Sequence, residues 1–452
     1  MLLRFVAKNF LSLGEEIEFN LFPYTKLRSH KDHIYDLNDV SLLKSAAIYG
    51  ANGSGKSNFV KAIHLLHDIA TNQNISAARL SEICFKLNTQ LSCEATSLEI
   101  EFEKSGRFFS YGVDILDQRI VEEWLVLTSP HNANKDVLIF ERKTDESGKI
   151  KIKLHEKYVQ SDRDKLRIEL YEEEMLRHEE SLLSFLNSKG KDEFRDIEEA
   201  FSWFQDDLYI LYPGSLYAGL IEKFLRDDHF LNYTNSIIST LDTGVSELGI
   251  KEVPFEIFFG DDDKDIKNKI LSDFKKGKKK VNLRNRKGVA LAVQNEKGEI
   301  IIQKLITRHV DKDGKVCDFE LKEESDGTTR ILDLLPAFEL LSQRKCVFVI
   351  DEIGRSIHPA LLKEFTRYFL EAKTQGQLIF TTHESYLLDL DNFRQDEIWF
   401  TEKDDAGNTR MYPLSEFMPR YDFDIRKGYL NGRFGAIPFL GDFSKLIVEH
   451  AS

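Results

Sequence analysis

Residues 45–57 read Ser45-Ala46-Ala47-Ile48-Tyr49-Gly50-Ala51-Asn52-Gly53-Ser54-Gly55-Lys56-Ser57, and this stretch decides the fold. Its first five residues form a short apolar run of the kind that makes a buried strand, and the run feeds directly into a glycine-rich turn. From Ser57 to Ile69 the apolar residues Phe59, Ile63, Leu66 and Ile69 recur at helical spacing. Gly50 to Ser57 fit G-x-x-x-x-G-K-[ST] at every fixed position, in the strand, turn and helix context that the pattern requires. Gly50, Asn52, Gly53 and Gly55 shape a turn whose backbone can wrap a phosphate group, and the start of the helix adds N–H donors and partial positive charge. Lys56 is placed to reach β- and γ-phosphates, and the Ser57 hydroxyl to ligate Mg²⁺.

A phosphate loop needs a second metal-side carboxylate and a group that activates water. Cys346 to Ile350 is an apolar run ending in Asp351-Glu352, the form of a buried parallel strand with acids at its C-terminal edge, where α/β proteins bind ligands. Asp351 is expected to hold Mg²⁺ through water, and Glu352 to polarise the attacking water. A further apolar strand, Leu378 to Phe380, ends in Thr381-Thr382-His383, and Glu324-Ser325-Asp326-Gly327-Thr328-Thr329-Arg330 opens a helix. Ser325 or Thr328 caps that helix, and Gly327 permits close backbone approach. Taken singly, each feature has an ordinary explanation: strands often end in solvated acids, and a serine before a helix is often only a cap. Their weight comes from their order after the phosphate loop.

The remaining pattern is that of an ordinary folded chain with room for two or three units: 452 residues, 42% hydrophobic and 31% charged. Period-two strands are expected at Leu2–Ala7, Glu15–Phe19, Leu98–Phe102, Phe108–Ile115, Ile120–Leu127, Val137–Phe140 and Ile150–Leu154, with an irregular segment containing His30, His33 and Asp36 between. From Lys157 to about Asp242 the chain is rich in Glu, Lys, Arg and Leu and reads as helical. Even a continuous helix of forty-odd residues would span only about 65 Å. Val253–Phe259 reads as a strand, Asp261 to Lys280 as a charged loop, and Val289–Val293 with Glu299–Ile306 as a hairpin. No apolar run approaches the roughly 18 residues of a membrane span, and Arg4 and Lys8 interrupt any signal-peptide core, so a cytoplasmic protein without membrane partners is expected. Cys84, Cys93, Cys317 and Cys346 form no Cys-x-x-Cys pair, which argues against a structural zinc site and against a disulfide framework.

Together these residues resemble a known family. The chain is similar to ABC-type ATPases of the RecF/SMC/OLD kind, and more narrowly to stand-alone ATPases of bacterial abortive-infection and anti-phage modules, of the AbiL, RloA, AriA and PtuA type. The resemblance is carried by Lys8-Asn9-Phe10-Leu11-Ser12, by Ala46 to Tyr49 before the phosphate loop, by Asp351-Glu352 through Ser356-Ile357-His358-Pro359, and by Thr381-Thr382-His383-Glu384. Gln395 to Lys403 and Tyr429 to Pro438 fit the same pattern. It implies an α/β fold: an ABC-type P-loop NTPase head with an N-terminal antiparallel β-subdomain and a helical insertion. Residues 1–156 would form the N-terminal ATPase lobe, 157–280 the helical insertion and charged loop, and 281–452 the C-terminal lobe. By this resemblance Glu352 and His383 are catalytic, His383 sensing the γ-phosphate. Ser325 and Gly327 form a signature that binds the nucleotide held by a second copy, and Ser356 to Pro359, with Arg330, face the same interface. The glutamine that usually couples nucleotide to the arm has no clear segment; Gln90 and Gln118 are the candidates.

The implied ligands are ATP and Mg²⁺. The implied partners are a second copy closing over ATP, a higher homo-oligomer, a separately encoded effector such as a nuclease, and a phage protein as trigger. A fused nuclease is not expected, because Asp389-Leu390-Asp391 reads as a helix end. The rival reading is a DNA-repair or recombination ATPase. The net charge of −14 repels nucleic acid, so that reading depends on a local patch, Lys275-Lys276-Gly277-Lys278-Lys279-Lys280 with Arg284, Arg286 and Lys287. The bland alternative is a solvated loop balanced by Asp261, Asp262 and Asp263.

Overall fold

A computed structural model describes residues 1–437 apart from 38, 73–75, 89, 131, 191–193, 215–219, 242, 260–262, 286–287, 296 and 421–422. The chain divides into two compact units. The first comprises Met1–Pro213, Leu341–Ile353 and Phe365–Ser452, and the second Gly214–Leu340 and Gly354–Glu364.

The first unit holds two sheets. Five strands are mutually parallel, in the order Leu208–Leu211, Val347–Ile350, Gln377–Thr382, Ser45–Gly50 and Ile398–Lys403, and Thr409–Pro413 adds an antiparallel edge. The central three are buried along their whole length, as strands covered on both faces must be, which is why they read as unbroken apolar runs rather than alternations. The second sheet is antiparallel, in the order Ile150–Leu154, Val137–Thr144, Arg119–Thr128, Arg107–Leu116, Thr96–Lys104, Leu2–Lys8 and Ile17–Asn20. Each expected strand of this sheet forms, extended by a residue or more at most of its ends.

Between the sheets lies the helix Lys56–Thr71, whose predicted apolar stripe of Phe59, Ile63, Leu66 and Ile69 is fully buried. Phe59 makes edge-on contacts with Phe5 at 5.7 Å and Phe19 at 5.1 Å, so the helix that begins at the phosphate loop is keyed directly into the antiparallel sheet. The segment expected to be helical is so only in part. Helices Asp162–Leu170, Leu182–Asn187 and Arg195–Ser202 are short, the first and last run into π-helical turns, and the strand Leu208–Leu211 then enters the parallel sheet. A buried ion pair pins the helix Leu182–Asn187: Glu123, 3.9 Å from Arg142, accepts the N–H groups of Leu182 and Leu183 at 2.7 and 3.0 Å.

The second unit is built on an antiparallel sheet in which Val245–Pro254, Ile300–Val310, Gly288–Gln294 and Lys280–Asn285 follow in order and Val316–Glu320 pairs with Ile300–Val310. Where a strand was expected at Val253–Phe259, the strand ends at Pro254 and Phe255–Phe258 turn into a helix, because proline offers no further ladder N–H. Part of the expected charged loop is the helix Lys264–Lys275, with Ile270 buried beside Phe255 and Phe258. Lys275, Lys276, Lys278 and Lys279 are exposed, and Lys278 pairs with Asp273 at 3.0 Å. Arg286, Lys287, Asp261, Asp262 and Pro438 lie outside the described residues. None of the four cysteines forms a disulfide. Among the described residues no helix is long and apolar enough to cross a membrane.

Candidate active site

The phosphate loop leaves the parallel sheet at Gly50 and ends where Gly55 starts the helix. Gly53 and Gly55 have φ of 80° and 111°, the left-handed region where a Cβ is disfavoured. At Gly55 a Cβ would lie 2.1 Å from Thr409 Oγ1, and at Gly50 it would lie 2.3 Å from Thr401 Oγ1, so both glycines are also required by close packing. Asn52 and Gly53 are exposed at the tip. Lys56 folds back inside the loop, donating to the Gly50 carbonyl at 2.7 Å and the Ala51 carbonyl at 3.0 Å. It is buried, and desolvation pulls its ammonium down to about 8 despite the opposing pull of Asp351 and Glu352.

The acids meet it from the neighbouring strand. Asp351, buried, accepts from Ser57 Oγ at 3.2 Å and from Thr381 Oγ1 at 2.7 Å. The Thr381 hydroxyl in turn accepts the Glu352 N–H at 2.8 Å, and the Thr381 carbonyl accepts from Ile353 N–H at 3.1 Å. These bonds hold Glu352 at φ 49°, a conformation that costs a non-glycine residue about 1–2 kcal/mol. His383 completes the group. Its Nδ1 accepts from Lys56 Nζ at 3.5 Å, and its Nε2 lies 3.9 Å from Glu352 Oε1. Burial, then the Lys56 charge, depress its pKa and favour the neutral ring. Lys56, Ser57, Asp351, Glu352 and His383 therefore share one location. The donor set fits Mg²⁺, which takes hard oxygen ligands: one hydroxyl and one carboxylate already in contact, at the mouth of a loop of backbone N–H groups.

Ser325 and Gly327 belong to the second unit. Ser325 Oγ accepts the Thr328 N–H at 3.1 Å, so of the two candidate caps the serine serves. A Cβ on Gly327 would fall 2.6 Å from the Ser356 carbonyl oxygen, which places this glycine against the Ser356 to Pro359 segment, with Ser356 itself at φ 64°. The adjoining Glu324 accepts from His309 Nε2 at 2.7 Å and from Thr307 Oγ1, tying the segment to the strand Ile300–Val310. Arg330 is buried. Gln90 and Gln118 are exposed in loops of the first unit, Gln118 in a hairpin turn at φ 62°.

Residues 45–389 match the family model described as "AAA domain, putative AbiEii toxin, Type IV TA system". The chain belongs to this AAA-domain family. No curated protein matches it. Among solved structures, the SMC head domain from Thermotoga maritima is similar at 14% identity and a TM-score of 0.39, over 91% of this chain and 98% of that one. The SmcHead bound to the C-winged helix domain of ScpA gives 13% identity and 0.41, over 92% and 99%. The Smc head domain with an extended coiled coil bound to the C-terminal domain of ScpA derived from Pyrococcus furiosus gives 14% and 0.42, over 92% and 97%.

In this chain the residues that brace the phosphate loop escaped the sequence reading. Thr409 Oγ1 donates to the Ser54 carbonyl at 2.9 Å and pairs with Ser12 Oγ at 2.8 Å, and Asn58 donates to Ser12 Oγ at 2.7 Å. Thr401 Oγ1 pairs with Ser54 Oγ at 2.7 Å. The available signal was the phosphate loop's own glycines, which announce that something packs against them without saying what. Beside the loop, Leu11, Ser12, Asn58, Phe85, Leu87 and Lys403 line a cleft of about 240 Å³.

Proposed function

We propose that this AAA-domain chain binds and hydrolyses ATP with Mg²⁺, closing as a homodimer over two nucleotides, and that it is the sensor or switch subunit of a bacterial anti-phage module of the abortive-infection kind, controlling a separately encoded effector. What carries the ATPase reading is the convergence of Lys56, Ser57, Asp351, Glu352 and His383. The family description, which names an Abi-type toxin system, favours the defence setting; the effector, the phage trigger, the higher oligomer and the narrower AbiL, RloA, AriA or PtuA likeness belong to the same proposal.

The geometry supports a role for each residue. Lys56 is held by its own loop carbonyls and turns from them to the phosphates, whose charge restores the solvation that burial removed. Ser57 and Asp351 would hold Mg²⁺, which when bound neutralises charge on the phosphate oxygens. Glu352, fixed at its backbone by Thr381, accepts the proton of the attacking water, and neutral His383 donates from Nε2 toward the γ-phosphate. The cleft lined by Leu11, Phe85 and Leu87 takes the base, and Lys403 is at hand for the sugar and phosphates. Ser325 and Gly327 of a second copy close the site over the γ-phosphate, the hydroxyl and the helix N-terminus offering donors.

The test is Glu352→Gln. Nucleotide binding is expected to persist, hydrolysis to fall by at least a hundredfold, and a nucleotide-bound dimer to accumulate on size-exclusion chromatography with light scattering. Hydrolysis at the wild-type rate in this variant would rule Glu352 out as the base.

A further inference from the structure

Outside the nucleotide site one cluster has the composition of a metal centre. His30-Lys31-Asp32-His33 forms a tight turn in which His30, at φ 45°, precedes the single 3₁₀ turn Lys31–His33. One nitrogen from each histidine and a carboxylate oxygen of Asp32 lie within 4.8 Å of one another. The two rings stack with centroids 4.8 Å apart. His30 is half-buried, Asp32 exposed and His33 buried, so the cluster opens to solvent on one side only.

Each ring has one nitrogen already engaged. His30 Nε2 bonds the Leu390 carbonyl at 2.8 Å, and His33 Nδ1 bonds Glu397 Oε2 at 2.8 Å. A backbone carbonyl and a carboxylate are the partners that metal-bound histidines use: they fix the ring, set the tautomer so that the opposite nitrogen carries a lone pair, and raise its basicity. The carboxylate is itself fixed. Glu397, fully buried, also accepts from Ser45 Oγ at 2.8 Å and from Arg394 N–H at 2.8 Å. Arg394 clamps Asp396 through two bonds of 2.9 and 2.8 Å and donates to the Ser29 carbonyl at 2.6 Å, and Asp396 accepts from Tyr24 N–H at 2.7 Å. Two imidazoles pre-set to ligate, an exposed carboxylate between them in sequence and a left-handed histidine make a costly turn. A bound cation accounts for all of them.

We propose that His30, Asp32 and His33 bind a divalent first-row transition-metal ion of the zinc class, with solvent as the remaining ligand. Imidazole and carboxylate suit Zn²⁺ and its neighbours, whereas Mg²⁺ keeps to oxygen ligands. The ion clips the segment before the phosphate-loop strand to Glu397, which adjoins the strand Ile398–Lys403 and bonds Ser45 at the start of Ser45–Gly50. It is a structural clip at the end of the sheet away from the nucleotide.

The full chain, stripped with a chelator and kept free of nucleotide in excess Mg²⁺, is titrated with Zn²⁺ by calorimetry and with Co²⁺ by its visible absorption. One ion per chain is expected, with a rise in thermal midpoint on Zn²⁺ addition. Asp32→Ala and His30→Ala, which alter an exposed and a half-buried side chain and should leave circular dichroism unchanged, lose both the binding and the thermal shift. Glu397→Gln weakens affinity about 10- to 100-fold. Wild-type protein that takes up neither ion, or uptake undiminished in Asp32→Ala and His30→Ala, overturns the proposal; the latter result would place the ion elsewhere, for instance on exposed Cys93.

Discussion

Lys56 is stored in the folded chain at a cost, and the cost can be measured. Its ammonium is drawn from 10.5 to about 8, chiefly by desolvation. The unfolded chain therefore binds more protons than the folded one between those two values, and stability must rise with pH across that window. Below pH 8 the folded protein carries the full penalty, roughly 3 kcal/mol at about 1.36 kcal/mol per tenfold change in acidity. Lys56→Met keeps the length of the side chain and removes the titration. It also leaves the Gly50 and Ala51 carbonyls without their donor, a loss of about 1 kcal/mol each that does not vary with pH. The informative quantity is thus the difference between wild type and variant as a function of pH. Urea unfolding at pH 7 and pH 10 should show wild type gaining roughly 2.5 kcal/mol on Lys56→Met, while the variant binds ATP far more weakly at every pH. Parallel stability curves for the two proteins, or a wild type that loses ground as pH rises, would refute the claim that this lysine is buried charged and waiting for phosphate.

Other expectations follow from single contacts. Thr381→Val removes the hydroxyl that bonds both Asp351 and the Glu352 N–H, and kcat should fall about 10- to 100-fold with KM for ATP changed much less, as steady-state kinetics would show. Gly327→Ala puts a Cβ against the Ser356 carbonyl oxygen; hydrolysis should drop about tenfold or more while a fluorescent ATP analogue binds one protomer as before.

How much of this was legible in the sequence depends on how far apart the cooperating residues stand. The phosphate loop, the helix behind it and the acids after Ile350 were readable because each is a local pattern on one element. Ser12, Thr401 and Thr409 were not, because Thr401 and Thr409 bond Ser54 across 347 and 355 positions and Ser12 bonds Thr409 across 397, and such partners leave no local mark. The strand Leu208–Leu211 hid for a related reason: four residues, only the first fully buried, inside a Glu- and Lys-rich stretch look like part of a helix. Its strand character comes from pairing with Val347–Ile350, a long-range contact. The His30 to His33 cluster was visible as composition only, since its outer partners, Leu390 and Glu397, lie at the other end of the chain.

The central claim is that one triphosphate is gripped by Lys56 of one copy and Ser325 of another. Lys56→Ala and Ser325→Arg should each abolish hydrolysis alone, and mixing them decides the matter. A dimer with one copy of each has one intact site, so an equal mixture that exchanges subunits should recover roughly a quarter of the wild-type rate. A mixture that exchanges subunits yet stays as inactive as its parents, or a Ser325→Arg protein that hydrolyses ATP normally by itself, would contradict it.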